Sequence, residues 1–519
     1  MKFLYTHKRI CIQYLVFILI TCTSISPIFG RMTSRENREY IKQFESLKNK
    51  ITEWVESGDI PSVSIAVAKD GEIIWEESFG WADRERMIKA TPHIMYSLAS
   101  VSKPITATGV MILVEKGKID LQDPVNKYVY PNKIRSYEGC SDSITVKHVL
   151  NHTSGLPLHC SFYYEDEPHK KSSMEESIVR YGISVNPPGR VYKYSNLGYG
   201  ILDHIITKVS GKSFESFMKN EVFLPLGLTH SSLNIGFGLD DYTAIRYDKD
   251  NNPIPFYDSD HQGASAFYSS AHDLIRFAMF HLKNRIPNQA RILTDDMLDR
   301  MHTEIDPDVS MDDNTFYALG WVNSLDENGY NIITHDGGMP GVSTTIDIIP
   351  SEDVALVILM NCMDNRLYSL REDMLCIMLP KYQENLEKNR AREDSKQKST
   401  EKRTQLTGEW EGTVSTYESE FPVSMVFQED GDIFVTLKTT PLESVCPKKL
   451  NRVSYKNNRL LGIFSGTIPT RDAMRHKHFV VLDIYLRGDR LTGSVSSISN
   501  EKRDYSELSS HITLEKKNR

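Results

Sequence analysis

The sequence predicts an α+β fold followed by a small antiparallel β-barrel, and three observations carry that expectation. Apolar runs of helical length, Ile105–Val114 and Leu197–Ile206, share the N-terminal part of the chain with an alternating strand at Val342–Ile349 and a second strand at Val354–Met360. Glu384 to Thr404 then breaks the apolar pattern with Lys, Arg, Glu, Asp, Ser and Gln and no aromatic residue, which marks a solvated helix or linker. Beyond Leu406, short apolar segments return at regular intervals between glycine turns, the pattern of a small barrel. At 519 residues the chain exceeds one ordinary core, so two folded units are expected. The divisions are 1–30, 31–383, a linker at 384–405, and a barrel at 406–519.

Lys2, Lys8 and Arg9 precede the mostly apolar stretch Ile10–Thr21. About a dozen residues suit the h-region of a signal peptide and fall short of a membrane span. Export to a periplasmic or extracellular site is expected, with cleavage between Thr23 and Gly30 and no stable membrane span. Lipid anchoring at Cys22 is the less favoured reading, because Thr21 is a poor fit just before the cysteine. Asn37–Ser57 sets Ile41, Phe44, Leu47, Ile51, Trp54 and Val55 on one face, an amphipathic helix for packing on a sheet.

Ser-x-x-Lys occurs five times, starting at Ser100, Ser216, Ser395, Ser399 and Ser499, so context must choose. Ser395 and Ser399 lie in the charged run, Ser499 reads as part of a polar turn, and Ser216 lacks small neighbours. Ser100 follows Leu98-Ala99 and opens the apolar run that stops at Gly117, placing it at the start of a largely buried helix. Unpaired N–H groups there favour a developing oxyanion, and Lys103 at i+3 shares the face. Its amine can take the hydroxyl proton if burial lowers its pKa, or can hold a neighbouring phenolate by charge. For an isolated motif, a helix cap beside a solvated lysine is the commoner outcome.

Tyr194-Ser195-Asn196 follows the turn Asn186-Pro187-Pro188-Gly189 and precedes the second apolar run, a loop-to-helix junction. A phenol there becomes a base only if adjacent cations stabilise its anion, and Asn196 offers a donor and an acceptor to an amide or ester. The bland alternative is a packing tyrosine beside a capping asparagine. His335-Asp336-Gly337-Gly338 runs into the alternating strand, and its glycines let a substrate lie close to the sheet. The amides of Gly338 and Ser100 are the expected oxyanion hole.

These three motifs, in this order, resemble those of the serine β-lactamase and penicillin-binding-protein-like hydrolases, the branch with class C β-lactamases, D-alanyl-D-alanine carboxypeptidases and esterases. Ser62–Trp75 resembles that family's opening hairpin with Asp70-Gly71 as the turn, and Leu150–Leu156, Phe223–Leu228 and Ala318–Trp321 resemble further segments. The resemblance covers roughly residues 36 to 380. It implies an antiparallel sheet flanked by helices with an all-helical subdomain. It also implies Ser100 as nucleophile, Lys103 as its partner, Tyr194 as proton shuttle, Asn196, Gly337 and Gly338 as substrate-positioning residues, and His335 in the third-motif role. Leu406–Gly412 resembles the start of the lipocalin-like appendages behind such domains. No cofactor or metal is called for.

One departure narrows the substrate. Many β-lactamases of this fold carry Lys-Thr-Gly as the third motif, whose lysine and hydroxyl help bind the drug's carboxylate. Here His335 is mostly neutral at pH 7 and Asp336 adds negative charge, so weak β-lactam turnover and no strong demand for a substrate carboxylate are expected.

Other chemistries fit less well. There is no Gly-x-Ser-x-Gly elbow, and His148 and His152 lack the glutamate of a metalloprotease helix, so a structural role is expected for that pair. A net charge of −8 without a basic stripe argues against nucleic acid. Past the leader remain Cys140, Cys160, Cys362, Cys376 and Cys446, an odd number; Cys140 and Cys160 either pair or stay free. The readings left are an exported serine hydrolase acting on an amide, D-peptide or ester, an acyltransferase, and a non-catalytic penicillin-binding sensor, with a small-molecule or peptide partner and an oligomeric state the sequence leaves open.

Overall fold

The computed structural model describes residues 35–233, 235, 240–393, 404–439, 446–501 and 504–517. The expected leader with Cys22, and residues 394–403 of the charged linker, lie outside these. Among the described residues no helix is long and apolar enough to cross a membrane.

An eight-stranded antiparallel sheet forms the first layer, ordered Thr315–Tyr317, Val322–Glu327, Tyr330–Met339, Val342–Ile349, Val354–Met360, Ser62–Lys69, Glu72–Asp83 and Ile88–Lys89. Its central strands read as unbroken apolar runs because both faces are covered. Val63, Ile65 and Val67 join Phe44, Leu47 and Ile51 of the helix Arg35–Glu56 and Leu370 and Met374 of the helix Arg366–Met378 in one core. Ala66, Ala68, Val357 and Leu359 face the other way, toward Ile275 and Phe277 of the helix Ala271–His281. Phe44 stacks on Trp75 at 4.4 Å, fixing the first helix to the sheet as its apolar stripe foretells. Asp70 and Gly71 both have positive φ, the conformation a two-residue hairpin turn requires.

A helical layer closes over the sheet, centred on Ser102–Glu115, in which Ser102 to Leu113 are all buried. Such a helix needs no polar face, and Gly117 at φ +64° ends it. The helix Asn196–Ser210 packs against it.

The C-terminal segments form a nearly closed antiparallel barrel. Its order is Lys448–Lys449, Ile433–Leu437, Glu420–Phe427, Gly408–Ser415, Asp504–Lys516, Arg490–Glu501, Phe479–Arg487, Arg459–Phe464 and Asn451–Lys456. The first and last of these are almost continuous in the chain, which curls the sheet round a core containing Trp410, Phe464, Leu482 and Leu514. Ser499, read from sequence as part of a polar turn, lies inside the strand Arg490–Glu501 and is buried. Ser494, Ser496, Ser497, Ser499, Ser509 and Ser510 of the last two strands are likewise buried, so the apolar segment Leu491–Val495 foretold only the start of the first of them.

The barrel continues onto the helical layer. Ser506 and Glu507 pair with Ser161 and Cys160 of the short strand Cys160–Tyr164. Asp483 accepts from Lys193 Nζ at 2.5 Å, Thr492 Oγ1 donates to Glu138 at 2.7 Å, and Arg487 donates to Asn186 at 2.6 Å. These contacts bring barrel residues to the loop that carries Tyr194.

Candidate active site

Ser100 sits in the single helical turn Ala99–Val101 that leads into the buried helix. Ala99 has φ +47°, a left-handed conformation that costs an alanine energy and sharpens the turn, so Ser100 is half-buried at a surface while its neighbours are buried. One helical turn on, Lys103 Nζ lies 3.1 Å from Ser100 Oγ. The amine is fully buried and also meets Asn196 Oδ1 at 2.8 Å and the Ala264 carbonyl at 3.1 Å. Among its described neighbours no carboxylate balances it, and burial pushes its pKa down to about 7. Near neutrality the amine can thus donate to Asn196 and Ala264 while its lone pair accepts from the Ser100 hydroxyl.

Ser195, not Asn196, caps the second helix: its side chain accepts from the Gly198 N–H at 3.0 Å and donates to the Pro157 carbonyl at 2.6 Å. That frees Asn196 to point inward, with Nδ2 donating to Cys160 Sγ at 2.9 Å. The Lys103 Nζ lies 4.6 Å from the centre of the Tyr194 ring. Burial raises the Tyr194 phenol well above its ordinary value, and the Ser100 hydroxyl only partly offsets this. The cation therefore faces the ring rather than a phenolate, and Tyr194 holds its proton at neutral pH, contrary to the expectation that adjacent charge makes it a base.

His335 is buried in the strand Tyr330–Met339. Its Nδ1 donates to the Asp336 carbonyl and its Nε2 accepts from the Tyr317 hydroxyl, both at 2.8 Å. Burial and Lys103 push its pKa down to about 3, so it is neutral. Asp336 does not add charge to this site as expected, because strand alternation turns it to the opposite face. There it accepts from Thr345 at 2.7 Å, in the field of Arg371.

The edge of this strand pairs with Val322–Glu327 only as far as Thr334, leaving the His335–Met339 edge open beside the Ser100 turn. A Cβ on Gly337 would lie 2.2 Å from Thr344 Oγ1 and 2.3 Å from the Leu98 carbonyl, whereas one on Gly338 meets nothing within 4 Å. Gly337→Ala is therefore expected to destabilise the fold by about 1–3 kcal/mol and to push the strand from Ser100. Gly338→Ala should leave the melting temperature close to the parent; equal melting of the two variants would contradict the contact.

Sequence reasoning missed several supporting groups, since each comes from a distant segment. His152 accepts from the Ser195 N–H at 3.1 Å and packs on Tyr194, Tyr199 and Tyr317. His148 instead turns to the Ser143 carbonyl, so the i, i+4 pair shares no ligand. Cys140 is exposed and Cys160 buried, both free. Behind Asn196, Asp260 accepts from His159 at 2.9 Å and from His261 at 2.8 Å, and Ser177 donates to it as well. Donor atoms of His159, Asp260 and His261 lie within 4.8 Å of one another, close enough to hold a metal ion. Asp260, pushed up by burial but more strongly down by the two imidazoles, stays ionised and joins the two segments next to Cys160 and Ala264.

Comparison with known proteins identifies the family and the fold. Residues 47–374 match the family model described as Beta-lactamase. Protein flp of Staphylococcus aureus (strain MRSA252) is 27% identical over 314 residues, 59% of this chain and 60% of its own length. Penicillin-binding protein 4* of Bacillus subtilis (strain 168) is 29% identical over 308 residues, 54% of this chain and 64% of its own. The chain thus spans less than two thirds of those relatives. Among solved structures, the octameric penicillin-binding protein homologue from Pyrococcus abyssi superposes with a TM-score of 0.55 at 22% identity, over 90% of this chain and 99% of that one. SurE with D-Leu gives 0.57 at 20% identity, over 92% and 100%. A class C beta-lactamase gives 0.55 at 20%, over 67% and 98%. With the family model covering well over half of the sequence, the chain belongs to the β-lactamase family of serine acyl-transferring enzymes.

Proposed function

We propose that the protein is an exported serine hydrolase that works through an acyl-enzyme on Ser100, with an amide, D-peptide or ester as substrate. The observation that carries this reading is the Lys103 amine, 3.1 Å from the Ser100 hydroxyl and lowered to about 7 by burial. Lys103 takes the hydroxyl proton as Ser100 attacks the carbonyl. The amides of Ser100 and Gly338 receive the oxyanion, Asn196 orients the acyl group, and Tyr194, still protonated, passes its proton to the leaving group and is reprotonated by the one Lys103 took from Ser100. His335, neutral and held by Tyr317, shapes the open edge. Water then releases the acyl group. The leader-like residues 1–30 support export, and the similarity to SurE, whose structure was solved with D-Leu, favours testing D-configured substrates.

Acyl transfer is the second reading, favoured by a cavity of about 520 Å³ beside Gly338, lined by Ile254, Met363 and Tyr505, where an acceptor other than water has room. Incubation with 4-nitrophenyl esters and D-amino-acid amides, followed by intact-mass and peptide mapping, should show a transient acyl adduct on Ser100. Turnover that survives Ser100→Ala would overturn the assignment. Product mixtures containing added alcohol or amine separate transfer from hydrolysis.

A further inference from the structure

Arg246 is 6% exposed, and among the described residues no carboxylate lies within ion-pairing distance of it. Its guanidinium carbon stands 3.7 Å from the centre of the Tyr257 ring, with Phe256 at 5.6 Å and Tyr268 at 6.0 Å. Its hydrogen bond is a long one, from Nη2 to the Tyr257 carbonyl at 3.4 Å. The same protein shows what a buried arginine ordinarily receives: Arg371 is held by Asp347 at 2.8 Å and Glu327 at 3.1 Å. A guanidinium cannot shed its proton, so a buried one with most of its five donors unused is poised for an anion.

That anion has a place to sit. Arg246 lines a cavity of about 380 Å³ whose walls include Phe162, Tyr268, Ser97 and Met339. Ser97 is three residues before Ser100, and Met339 follows Gly338, so the cavity adjoins the candidate site on two sides. The other charges on its wall are Lys171, ion-paired with Asp258, and Glu215, which is exposed. Arg246 is thus the buried charge on this wall that has no ion-pair partner among the described residues.

We propose that Arg246 holds a negatively charged end of the substrate's acyl group, so that the enzyme selects acyl chains of a few carbons that end in a carboxylate. This rests on the Ser100 acyl-enzyme reading, and it revises the expectation drawn from the third motif that no substrate carboxylate is sought. The charge is read from the segment before Tyr247 and not from His335.

The test compares mono-4-nitrophenyl glutarate with 4-nitrophenyl pentanoate, acyl chains of equal length that differ in the terminal charge. The wild-type protein is expected to favour the glutarate ester in kcat/KM by at least about tenfold, mostly through KM. Arg246→Met should bring that ratio close to one, while Arg246→Lys keeps part of it. A wild-type ratio near one, or a ratio that Arg246→Met leaves intact, overturns the proposal. A ratio cancels general damage from misfolding, and the wild-type measurement needs no variant. Free glutarate, set against chloride at equal ionic strength, should raise the wild-type melting temperature and not that of Arg246→Met; no glutarate-specific shift also overturns it. If ester turnover persists in Ser100→Ala, the acyl-enzyme reading fails by itself, and the glutarate shift still decides the role of Arg246.

Discussion

Lys103→Met is expected to lower kcat/KM on any ester the enzyme turns over by about 10³-fold or more, because the only base in contact with Ser100 among the described residues disappears. Methionine fills nearly the same volume, so the chain still folds. Its cost is confined to Asn196 Oδ1 and the Ala264 carbonyl, each losing a donor at about 1–3 kcal/mol, offset in part by no longer burying an amine. The wild-type pH profile is the sharper readout. Catalysis needs the neutral amine, whose pKa burial lowers to about 7, so kcat/KM should climb roughly tenfold per pH unit below that value and level off above it. The variant's residual rate should lack this limb. Stability carries the same signature: the unfolded chain keeps this proton up to 10.5, so on this group's account stability rises with pH between about 7 and 10.5, and the methionine variant loses that rise. A variant within tenfold of the parent, or a profile flat from pH 5 to 8, would remove Lys103 from the role of base.

The contact between Ser100 and Lys103 was legible in the sequence because one helical turn separates them and the apolar run after them names the helix. The open glycine edge after His335 was legible for a similar reason, a local strand pattern ending in residues without side chains. What stayed hidden depends on pairs brought together by tertiary folding. Tyr317 gave no sign that it would hold His335, nor Cys160 that it would receive the Asn196 amide. The charge states were only half legible: proximity of cation and phenol suggested a phenolate, but burial governs both groups and pushes them toward their neutral forms. In the barrel, the apolar alternation of Glu420–Phe427 announced its strand. In Arg490–Glu501 the apolar segment Leu491–Val495 marked the start of the strand, but serines turn inward beyond it, and Asp504–Lys516, with serines inward as well, gave no apolar signal of its own.

Asp483→Ala is expected to cost on the order of 3 kcal/mol in stability and to impair catalysis from the barrel. Asp483 is buried on the barrel, accepts from Arg459 at 2.7 and 3.0 Å, and reaches across to Lys193, the residue before Tyr194. Burial alone would raise its carboxyl, but Lys193 and Arg459 outweigh that and hold it well below the ordinary carboxylate range. Its contribution is therefore complete at neutral pH and is lost as pH falls below about 3.9. Removing the carboxylate strands Lys193, 11% exposed, far more severely than Arg459 at 40%, which keeps the penalty at the lower end for a broken buried pair. The damage passes to the site through one peptide unit: Lys193 N–H donates to the His152 carbonyl at 2.8 Å, and His152 packs on Tyr194. The expected result is a lower melting temperature together with a fall in kcat that leaves the pH limb of Lys103 in place. The double variant Lys193→Met with Asp483→Leu, which leaves only the 40% exposed Arg459 without its partner, should recover most of the stability. Unchanged melting and turnover in Asp483→Ala would mean that the barrel rides on the enzyme without setting the position of its tyrosine.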